Sequence, residues 1–271
     1  MVVTSVSIAS LHVKPDAMSE LSDEVLFGMP VDILDETGDF YKIRTFYRYE
    51  GFSKKSNFIV PDEQWSAQQK SAAAAPFTDI MAEPDVTAGI LAVVPRGGVV
   101  GLEQTSGDIE FGWQKVCLPN GLMGYARMRK LMPHYEFPVS SEETAFRETL
   151  VQTARTYLGS QYRWGGKTMQ GIDCSGLVFM AYLLCGVIIW RDAAIKPEFP
   201  IREMDFSEVK PGDLIFFTGH VAMYIGDGEY IHSTGHPSSD GVVINSLNPA
   251  SPLYREDLPK MIKYCGRYTG F

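Results

Sequence analysis

The heptapeptide Gly-Ile-Asp-Cys-Ser-Gly-Leu at residues 171–177 places a cysteine where an apolar helix is expected to begin. Residues 177–190 are almost unbroken hydrophobic sequence, with Gly186 as the one interruption. This run is shorter than the roughly 20 apolar residues of a membrane span, so it predicts a buried helix. Cys174 therefore stands in the first turn of a buried helix.

The position of Cys174 favours a reactive thiol. The first turn of a helix has backbone N–H groups without intrahelical partners, and the helix dipole favours negative charge there. A cysteine in this position can have a thiol pKa well below its usual value of about 8.5, and the thiolate is the nucleophilic form. On this segment alone the alternative stays open that Cys174 is a small packing residue, because free cysteines are often buried.

The length, the net charge and the cysteine content of the chain narrow the class of protein. The 271 residues are enough for two or three domains, and a formal net charge of -9 argues against a general binder of nucleic acid or of anionic membranes. The four cysteines form neither a disulfide framework nor a CxxC pattern, so neither a metal nor a cofactor is expected. Residues 1–10 show no secretory leader, which predicts a cytoplasmic protein with reduced thiols.

The first half of the chain predicts two small all-β domains, at residues 1–70 and 71–136. Both show the same order of small-residue turn, strand, Gly-Asp, strand, turn and Gly-aromatic, with Gly-Asp at 38–39 and 107–108. This order is a weak internal repeat. Pro-Asn-Gly at 119–121 predicts a hairpin, and the polar, alanine-rich stretch 64–75 fits a linker or a short helix.

Residues 137–271 predict an α+β domain. A capping box at 140–143 begins an amphipathic helix that Gly159 closes, and the Cys174 helix follows. After Pro-Gly-Asp at 211–213 the pattern changes to strands, which we expect at 214–217, 220–225, 229–233 and 242–244. Helices followed by an antiparallel run of strands are typical of the α+β class.

Cys174 needs a base, and His220 and His232 lie on two successive strands. With a three-residue loop at 226–228, Ala222 lies opposite His232, and the two histidines share a face on the diagonal, about 7–8 Å apart between backbones. A two-residue loop would put them on opposite faces. The predicted register therefore decides whether the two imidazoles can meet.

In that register the three side chains form a nucleophile, a base and an orienting residue, as in cysteine peptidases. One alternative is a pair of histidines without function on a half-exposed hairpin. Another is a zinc site formed by Cys174, His220 and His232, although no fourth ligand is evident.

Five motifs in order resemble the NlpC/P60 family of papain-like cysteine peptidases, which act on bacterial cell-wall peptides. They are Tyr-Arg-Trp-Gly-Gly at 162–166, Asp-Cys-Ser-Gly-Leu at 173–177, Pro-Gly-Asp-Leu at 211–214, Gly-His-Val-Ala-Met-Tyr-Ile-Gly at 219–226 and Tyr-Ile-His-Ser at 230–233. The resemblance implies a papain-like catalytic domain over residues 137–271. The front half more loosely resembles two bacterial SH3 domains, and the combination resembles the γ-D-glutamyl-L-diamino acid endopeptidases.

The resemblance also implies roles for individual residues. Cys174 is similar to the nucleophile, His220 to the base and His232 to the orienting residue of the family. Tyr162 resembles the tyrosine whose hydroxyl helps the Cys174 backbone N–H to stabilise the oxyanion.

Three more residues resemble those that bind the free amine of the substrate. Asp192, in Trp-Arg-Asp-Ala at 190–193, is similar to the carboxylate that binds the amine of an N-terminal L-Ala. Ala193 stands where some relatives have serine. Ser175 is expected in the same subsite, and Tyr49 resembles the tyrosine of the first SH3 domain that closes over it.

The sequence thus predicts a cysteine peptidase that cleaves the γ-D-Glu–diamino acid bond of peptidoglycan stem peptides with a free N-terminal L-Ala, in cell-wall peptide recycling. Its expected partners are these short peptides, with no nucleic acid and no membrane insertion. The alternatives are a secreted hydrolase of intact wall, a peptidoglycan-binding protein without activity, and an acyl transferase that uses the same thioester chemistry.

Overall fold

The computed structural model describes residues 1–103 and 112–271, which form two units at Met1–His134 and Tyr135–Phe271. Gly107-Asp108 of the sequence repeat lies outside the described residues. Both units are rich in antiparallel strands, and the two long helices belong to the second unit. In the part of the chain that the structure describes, no helix has the length and apolar character needed to cross a membrane.

The first sheet of the amino-terminal unit contains seven strands in the order β3-β2-β6-β5-β4-β1-β7, and all pairings are antiparallel. The strands are β1 (Val2–Thr4), β2 (Ile8–His12), β3 (Leu21–Leu26), β4 (Pro30–Thr37), β5 (Phe40–Thr45), β6 (Glu50–Lys54) and β7 (Phe58–Ile59). A short 3-10 helix, Lys55–Asn57, joins the last two strands.

The second sheet repeats this topology. Its order is β10-β9-β13-β12-β11-β8-β14, so every strand has a counterpart seven strands earlier, and Met128–Lys130 forms the matching 3-10 helix. The strands are β8 (Lys70–Ala73), β9 (Phe77–Met81), β10 (Ile90–Pro95), β11 (Val99–Leu102), β12 (Trp113–Cys117), β13 (Met123–Arg127) and β14 (Leu131–Pro133). The internal repeat is confirmed as two SH3-like all-β modules, and the hairpin at 119–121 is confirmed between β12 and β13.

The two sheets meet within the amino-terminal unit. The helix α1 (Glu63–Ala67) precedes β8, so residues 64–75 form a short helix and a strand. The Val99 N–H donates to the Phe27 carbonyl at 2.7 Å, and Gly28 lies beside this bond with φ +73°. A Cβ on Gly28 would lie 2.1 Å from the Val99 oxygen, so this close approach requires glycine. An apolar cluster continues the contact, formed by Val3, Trp65, Val99 and Cys117.

The second unit confirms the predicted α+β class. Its six-stranded antiparallel sheet has the order β17-β22-β18-β19-β20-β21, and a small hairpin of β15 and β16 precedes the second helix. The helices are α2 (Glu143–Arg155) and α3 (Cys174–Leu184). The strands are β15 (Lys167–Thr168), β16 (Gly171–Ile172), β17 (Ile201–Met204), β18 (Leu214–Phe217), β19 (His220–Gly226), β20 (Glu229–Thr234), β21 (Gly241–Ser246) and β22 (Ile262–Tyr268). Helix α3 packs against α2 and against strands β19 and β20.

The start of α2 and the end of α3 differ from the prediction. The capping box at 140–143 is wrong, because α2 begins at Glu143 and the Ser140 hydroxyl instead accepts from the N–H of Glu142, in a turn before the helix. The apolar run also does not stay helical to Trp190. Helix α3 ends at Leu184 because Gly186 adopts φ +80° and its N–H turns back to the Leu183 carbonyl.

Candidate active site

Asp173 sets the start of the helix that carries Cys174. Its backbone is extended, and its carboxylate accepts from the N–H of Gly176 at 2.6 Å, which is a standard helix N-cap. The other carboxylate oxygen accepts from the N–H of Gly165 at 2.8 Å. The same side chain therefore joins the Tyr-Arg-Trp-Gly-Gly segment to the first turn of α3. Cys174 becomes the first helical residue, as the sequence predicts.

Arg191 follows α3 in the sequence but lies against its first turn, where it neutralises the Asp173 carboxylate. Its guanidinium is fully buried and forms a two-pronged ion pair with Asp173, at 3.0 and 3.1 Å. It also donates to the Ser175 hydroxyl at 2.9 Å and to the Gly166 carbonyl at 3.3 Å. Sequence reasoning assigned no role to Arg191. The structure instead makes it the residue that ties the 190–193 segment to the nucleophile's helix.

The environment of Cys174 raises its thiol pKa, which corrects the prediction of a low value. Burial is the largest cause and the Asp173 carboxylate adds to it, giving a pKa of about 11. The sulfur accepts hydrogen bonds from the backbone N–H groups of Val221 and Ser175, and these lower the pKa, as does the Arg191 charge. The helix N-terminus does favour the thiolate, but loss of water around the sulfur outweighs it. The resting nucleophile is therefore a thiol that needs a base.

The strand register brings the two histidines together, although the loop differs from the prediction. The turn has two residues, Asp227 and Gly228, both with positive φ. Gly226 pairs with Glu229, while Met223 pairs with Ile231, and the shift between these pairs is a bulge at residue 225. The bulge supplies the residue that the shorter loop lacks. The predicted register, in which residue 222 lies opposite residue 232, is thereby confirmed.

His220 and His232 form a direct hydrogen bond. His220 Nε2 lies 2.7 Å from His232 Nδ1, and the two rings are almost perpendicular, at 83°. Burial lowers the pKa of His220 to about 3, with the neighbouring His232 as the second cause. Burial likewise lowers the pKa of His232 to about 4. Both imidazoles are therefore neutral at pH 7, and His220 begins β19 next to Val221, whose N–H contacts the Cys174 sulfur.

The second histidine is bonded on both ring nitrogens. His232 is completely buried, and its Nε2 lies 2.8 Å from Oδ1 of Asn245 on the neighbouring strand β21. Sequence reasoning missed Asn245. The available signal was a single amide in the apolar strand Val-Val-Ile-Asn at 242–245, next to the strand of a candidate catalytic residue.

Tyr162 lies beside the nucleophile, as the resemblance implies. It forms a parallel bridge with Ile172, two residues before Cys174, and its ring lies against Gly235. Burial raises the pKa of its hydroxyl, and a Cys174 thiolate and the Asp173 carboxylate raise that pKa further. Tyr162 is therefore a proton donor close enough to Cys174 to sense charge on the sulfur.

The expected amine-binding residues differ in their surroundings. Ser175 is buried, and its hydroxyl donates to Asp173 at 3.2 Å while accepting from Arg191. Asp192 is exposed and borders a pocket together with Trp190, Val178 and Val221. Val221 thus belongs to the lining of this pocket and, through its N–H, also contacts the Cys174 sulfur.

Tyr49 belongs to the amino-terminal unit. It lies at the end of the turn between β5 and β6, where its N–H donates to the Thr45 hydroxyl at 3.0 Å. Two acidic residues on β3, Asp23 and Glu24, are buried in the same module, and Asp23 accepts from the Tyr47 hydroxyl. The role of Tyr49 at the substrate amine stays a prediction.

Within residues 1–103 and 112–271, no group of His, Cys, Asp or Glu side chains is arranged to hold a metal ion. The chemistry that this arrangement can perform is nucleophilic attack by Cys174, with His220, the residue before Val221, as the expected proton acceptor.

Comparison with known proteins decides the family. The family model described as NlpC/P60 matches residues 159–255. A relative named dipeptidyl-peptidase 6, from Lysinibacillus sphaericus, is 40% identical over 263 residues, which is 96% of this chain and 96% of that protein. The chain belongs to the NlpC/P60 family of cysteine peptidases. As a member of this family it is a hydrolase.

Two further NlpC/P60 relatives span most of the chain. A γ-D-glutamyl-L-lysine dipeptidyl-peptidase from Bacillus cereus is 28% identical over 275 residues, covering 91% of this chain and 76% of its own length. The crystal structure of an NlpC/P60 family protein from Bacillus cereus superposes with a TM-score of 0.80 at 22% identity, and covers 98% of this chain and 99% of the other. That superposition shows a shared fold.

Proposed function

We propose that this NlpC/P60 protein cleaves the γ-D-Glu–diamino acid bond of peptidoglycan stem peptides that carry a free N-terminal L-Ala. The observation that carries the proposal is that Val221, whose N–H contacts the Cys174 sulfur, also lines a small pocket bordered by the exposed Asp192. The names of the two long relatives, a dipeptidyl-peptidase and a γ-D-glutamyl-L-lysine dipeptidyl-peptidase, support this reaction. Release of a dipeptide requires a substrate with a free amine two residues before the cut.

The first half-reaction uses Cys174 and His220. As the Cys174 sulfur bonds to the γ-carbonyl carbon of D-Glu, its proton passes to His220, and the carbonyl oxygen becomes an oxyanion. Tyr162 and the Cys174 backbone N–H are the donors proposed to stabilise that oxyanion. Collapse of this intermediate breaks the C–N bond, and His220 returns the proton to the leaving amine of the diamino acid.

The second half-reaction releases the dipeptide. A water molecule loses a proton to His220 and attacks the thioester carbon, and the sulfur leaves as L-Ala-γ-D-Glu forms. The proton on His220 returns to the sulfur. Because burial raises the pKa of the Cys174 thiol to about 11 and lowers the pKa of His220 to about 3, a resting thiolate–imidazolium pair is disfavoured. Proton transfer therefore accompanies bond formation.

Asp192 is proposed to select the free amine. Its carboxylate attracts an ammonium group, whereas an acetylated or internal peptide has no such charge at this position. Arg191 supports this role, because its buried ion pair with Asp173 fixes the backbone next to Asp192 relative to the first turn of α3. The setting that fits such a substrate is the recycling of short wall fragments, in which amines have already been exposed.

The test compares L-Ala-γ-D-Glu-diaminopimelate with its N-acetylated form, using the wild type, Asp192→Asn and Glu198→Gln. Glu198 is an exposed carboxylate six residues further along and serves as the matched control. We expect the wild type to release L-Ala-γ-D-Glu from the free-amine peptide alone. In Asp192→Asn, loss of a charged hydrogen bond should raise KM about 10–100-fold, while Glu198→Gln stays unchanged.

Equal cleavage of both peptides by the wild type would overturn the amine subsite and favour a hydrolase of intact wall. Cleavage of neither peptide, with diaminopimelate or with lysine in third position, would overturn the proposed reaction.

A further inference from the structure

The carboxamide of Asn245 is held in one orientation. Its Nδ2 donates to the Leu253 backbone carbonyl at 3.0 Å. A carbonyl oxygen can only accept, so the amide nitrogen must face Leu253, and the amide oxygen must face the other way. That oxygen also accepts from the Ser239 hydroxyl at 3.1 Å. Asn245 is only 9% exposed, so these bonds have little competition from water.

This fixed amide determines which nitrogen of His232 carries the proton. Asn245 Oδ1 lies 2.8 Å from His232 Nε2, and an amide oxygen only accepts, so Nε2 must carry hydrogen. A neutral imidazole has one N–H group, which leaves His232 Nδ1 as an acceptor. His220 Nε2 lies 2.7 Å from that acceptor and must therefore be protonated in its turn. The remaining nitrogen, Nδ1 of His220, is the one with an available lone pair.

We propose that Asn245 is a positioning residue of this peptidase: through His232 it fixes the tautomer of His220, so that Nδ1 of His220 accepts the Cys174 proton. The effect on turnover rests on the proposed function, whereas the tautomers do not. The sequence of bonds runs from the Leu253 carbonyl through the Asn245 amide and the His232 imidazole to His220, the base. The neutral state of both rings, which the argument requires, agrees with their burial.

The amide provides an acceptor without adding a charge. The charged groups that act on the histidine pair are Arg255 and Asp257, which form an ion pair with each other, with Nε to Oδ1 at 2.9 Å. Tyr230 is a further titratable group beside the pair, with its ring centroid 5.1 Å from that of His232, and the Cys174 sulfur contacts the N–H of Val221, the residue after His220. A carboxylate in place of Asn245 would add an unpaired negative charge and favour a second proton on His232.

The direct test is the tautomer state of the wild-type protein. Long-range proton–nitrogen NMR spectra of protein labelled with ¹⁵N-histidine distinguish an Nε2–H ring from an Nδ1–H ring. We expect both His220 and His232 to be Nε2–H rings at neutral pH, with assignment by the single variants His220→Asn and His232→Asn. An Nδ1–H ring at His232 in the wild type would overturn the proposal without any activity measurement.

The second test removes the acceptor. Asn245→Leu keeps the branching at Cγ but cannot accept from His232, so we expect mixed tautomers. The kcat on the free-amine peptide should be lower by about 10–100-fold, as when the partner that orients a metal-bound histidine is lost, with KM nearly unchanged. Asn248→Leu is the control, because Asn248 is exposed and lies three residues further along. A wild-type tautomer spectrum together with a kcat within twofold of wild type would overturn the proposal.

A third variant keeps the proposal testable if Asn245→Leu does not fold. Asn245→Asp loses the donor to the Leu253 carbonyl but retains an acceptor for His232 Nε2 and should keep the Nε2–H tautomer, while its charge moves the acid limb of the pH profile of kcat to higher pH. An unmoved acid limb would contradict the proposal. If the wild type shows the expected tautomers but cleaves no stem peptide, the proposed function fails and the tautomer assignment stands.

Discussion

The groups around Cys174 have opposite effects on the pKa of its thiol. The N–H groups of Ser175 and Val221 and the charge of Arg191 favour the thiolate, whereas burial and Asp173 disfavour it, and burial is the largest effect. The Cys174 sulfur is therefore a protonated thiol before the substrate binds. Its reactivity depends on a base whose proton-accepting nitrogen is available when the substrate arrives.

Alkylation of Cys174 measures this resting state directly. We expect the rate of reaction with iodoacetamide, followed at the Cys174 peptide by mass spectrometry, to keep rising into strongly alkaline pH, because burial raises the thiol pKa to about 11. A small-peptide thiol with a pKa of about 8.5 serves as the reference and should level off earlier. A Cys174 rate that is already constant near neutral pH would reveal a preformed thiolate and contradict this account.

Some of the site could be predicted from residue types and some could not. Cys174, His220 and His232 were accessible because helix position and strand alternation determine where their side chains point. Arg191 and Asn245 were not, because their partners, Asp173 and Leu253, are distant in sequence and the contacts exist only after folding. The prediction of a low thiol pKa was wrong for a similar reason, since burial is a property of the whole domain.

Among the secondary-structure elements, helix α3 is the one that fixes the nucleophile, and its two ends have different causes. Asp173 begins it through the N-cap bond, and Gly186 ends it by adopting a left-handed conformation. Gly186 also lies close to the preceding segment, because a Cβ there would be 1.9 Å from the Phe137 carbonyl oxygen. The helix end thus depends on a contact as well as on a dihedral angle.

Gly186→Ala should separate these two causes when it is compared with Gly159→Ala. Both glycines have φ near +80°, but nothing lies within 4 Å of a Cβ on Gly159. Gly159→Ala should lower the free energy of unfolding by about 1–2 kcal/mol, the cost of a left-handed L-residue. Gly186→Ala should lose clearly more, as measured by urea denaturation. Equal losses would show that the Phe137 contact relaxes freely.

The hairpin of β19 and β20 shows why register is harder to predict than the existence of strands. Alternation correctly predicted both strands, and the pairing of residues 222 and 232 was confirmed. The loop length was wrong because Asp227 and Gly228 form a tight two-residue turn with positive φ, and the bulge at residue 225 restores the register. A bulge leaves almost no pattern in a single sequence. The predicted loop was one residue too long and the bulge was missed, and because these two errors cancel, His220 and His232 were still placed on the same face of the sheet.

At the scale of the whole molecule, the repeated order of turns and strands in residues 1–136 was a stronger guide than any single strand. Two seven-stranded sheets with identical strand order follow from it, and a long relative with 40% identity spans both modules and the catalytic domain. The predicted boundaries at 70 and 136 remain a proposal.

The stability of the chain should depend on pH through the buried histidines. Burial lowers the pKa of His220 to about 3 and of His232 to about 4, whereas an unfolded histidine titrates near about 6.5. Between these values the unfolded chain binds protons that the folded chain does not, so stability falls as pH falls. The slope should approach about 1.4 kcal/mol per pH unit for each histidine.

Urea denaturation across this window tests the dependence, with the double variant His220→Asn/His232→Asn as the control. The variant should show a flatter dependence between about pH 6.5 and 4. Asp257, whose pKa the hydrogen bond with Arg255 lowers to about 2, loses its contribution only in more acidic solution. Identical slopes for the variant and the wild type would contradict the buried, neutral state of the pair.

Turnover of L-Ala-γ-D-Glu-diaminopimelate by the wild type and by Cys174→Ala tests catalysis by this cysteine, with both products quantified by mass spectrometry. We expect the wild type to release L-Ala-γ-D-Glu and diaminopimelate in equal amounts. Because nucleophile and base act as one unit, Cys174→Ala should lower kcat by a factor on the order of 10⁴ or more. Turnover by Cys174→Ala within tenfold of the wild type would contradict catalysis by this cysteine.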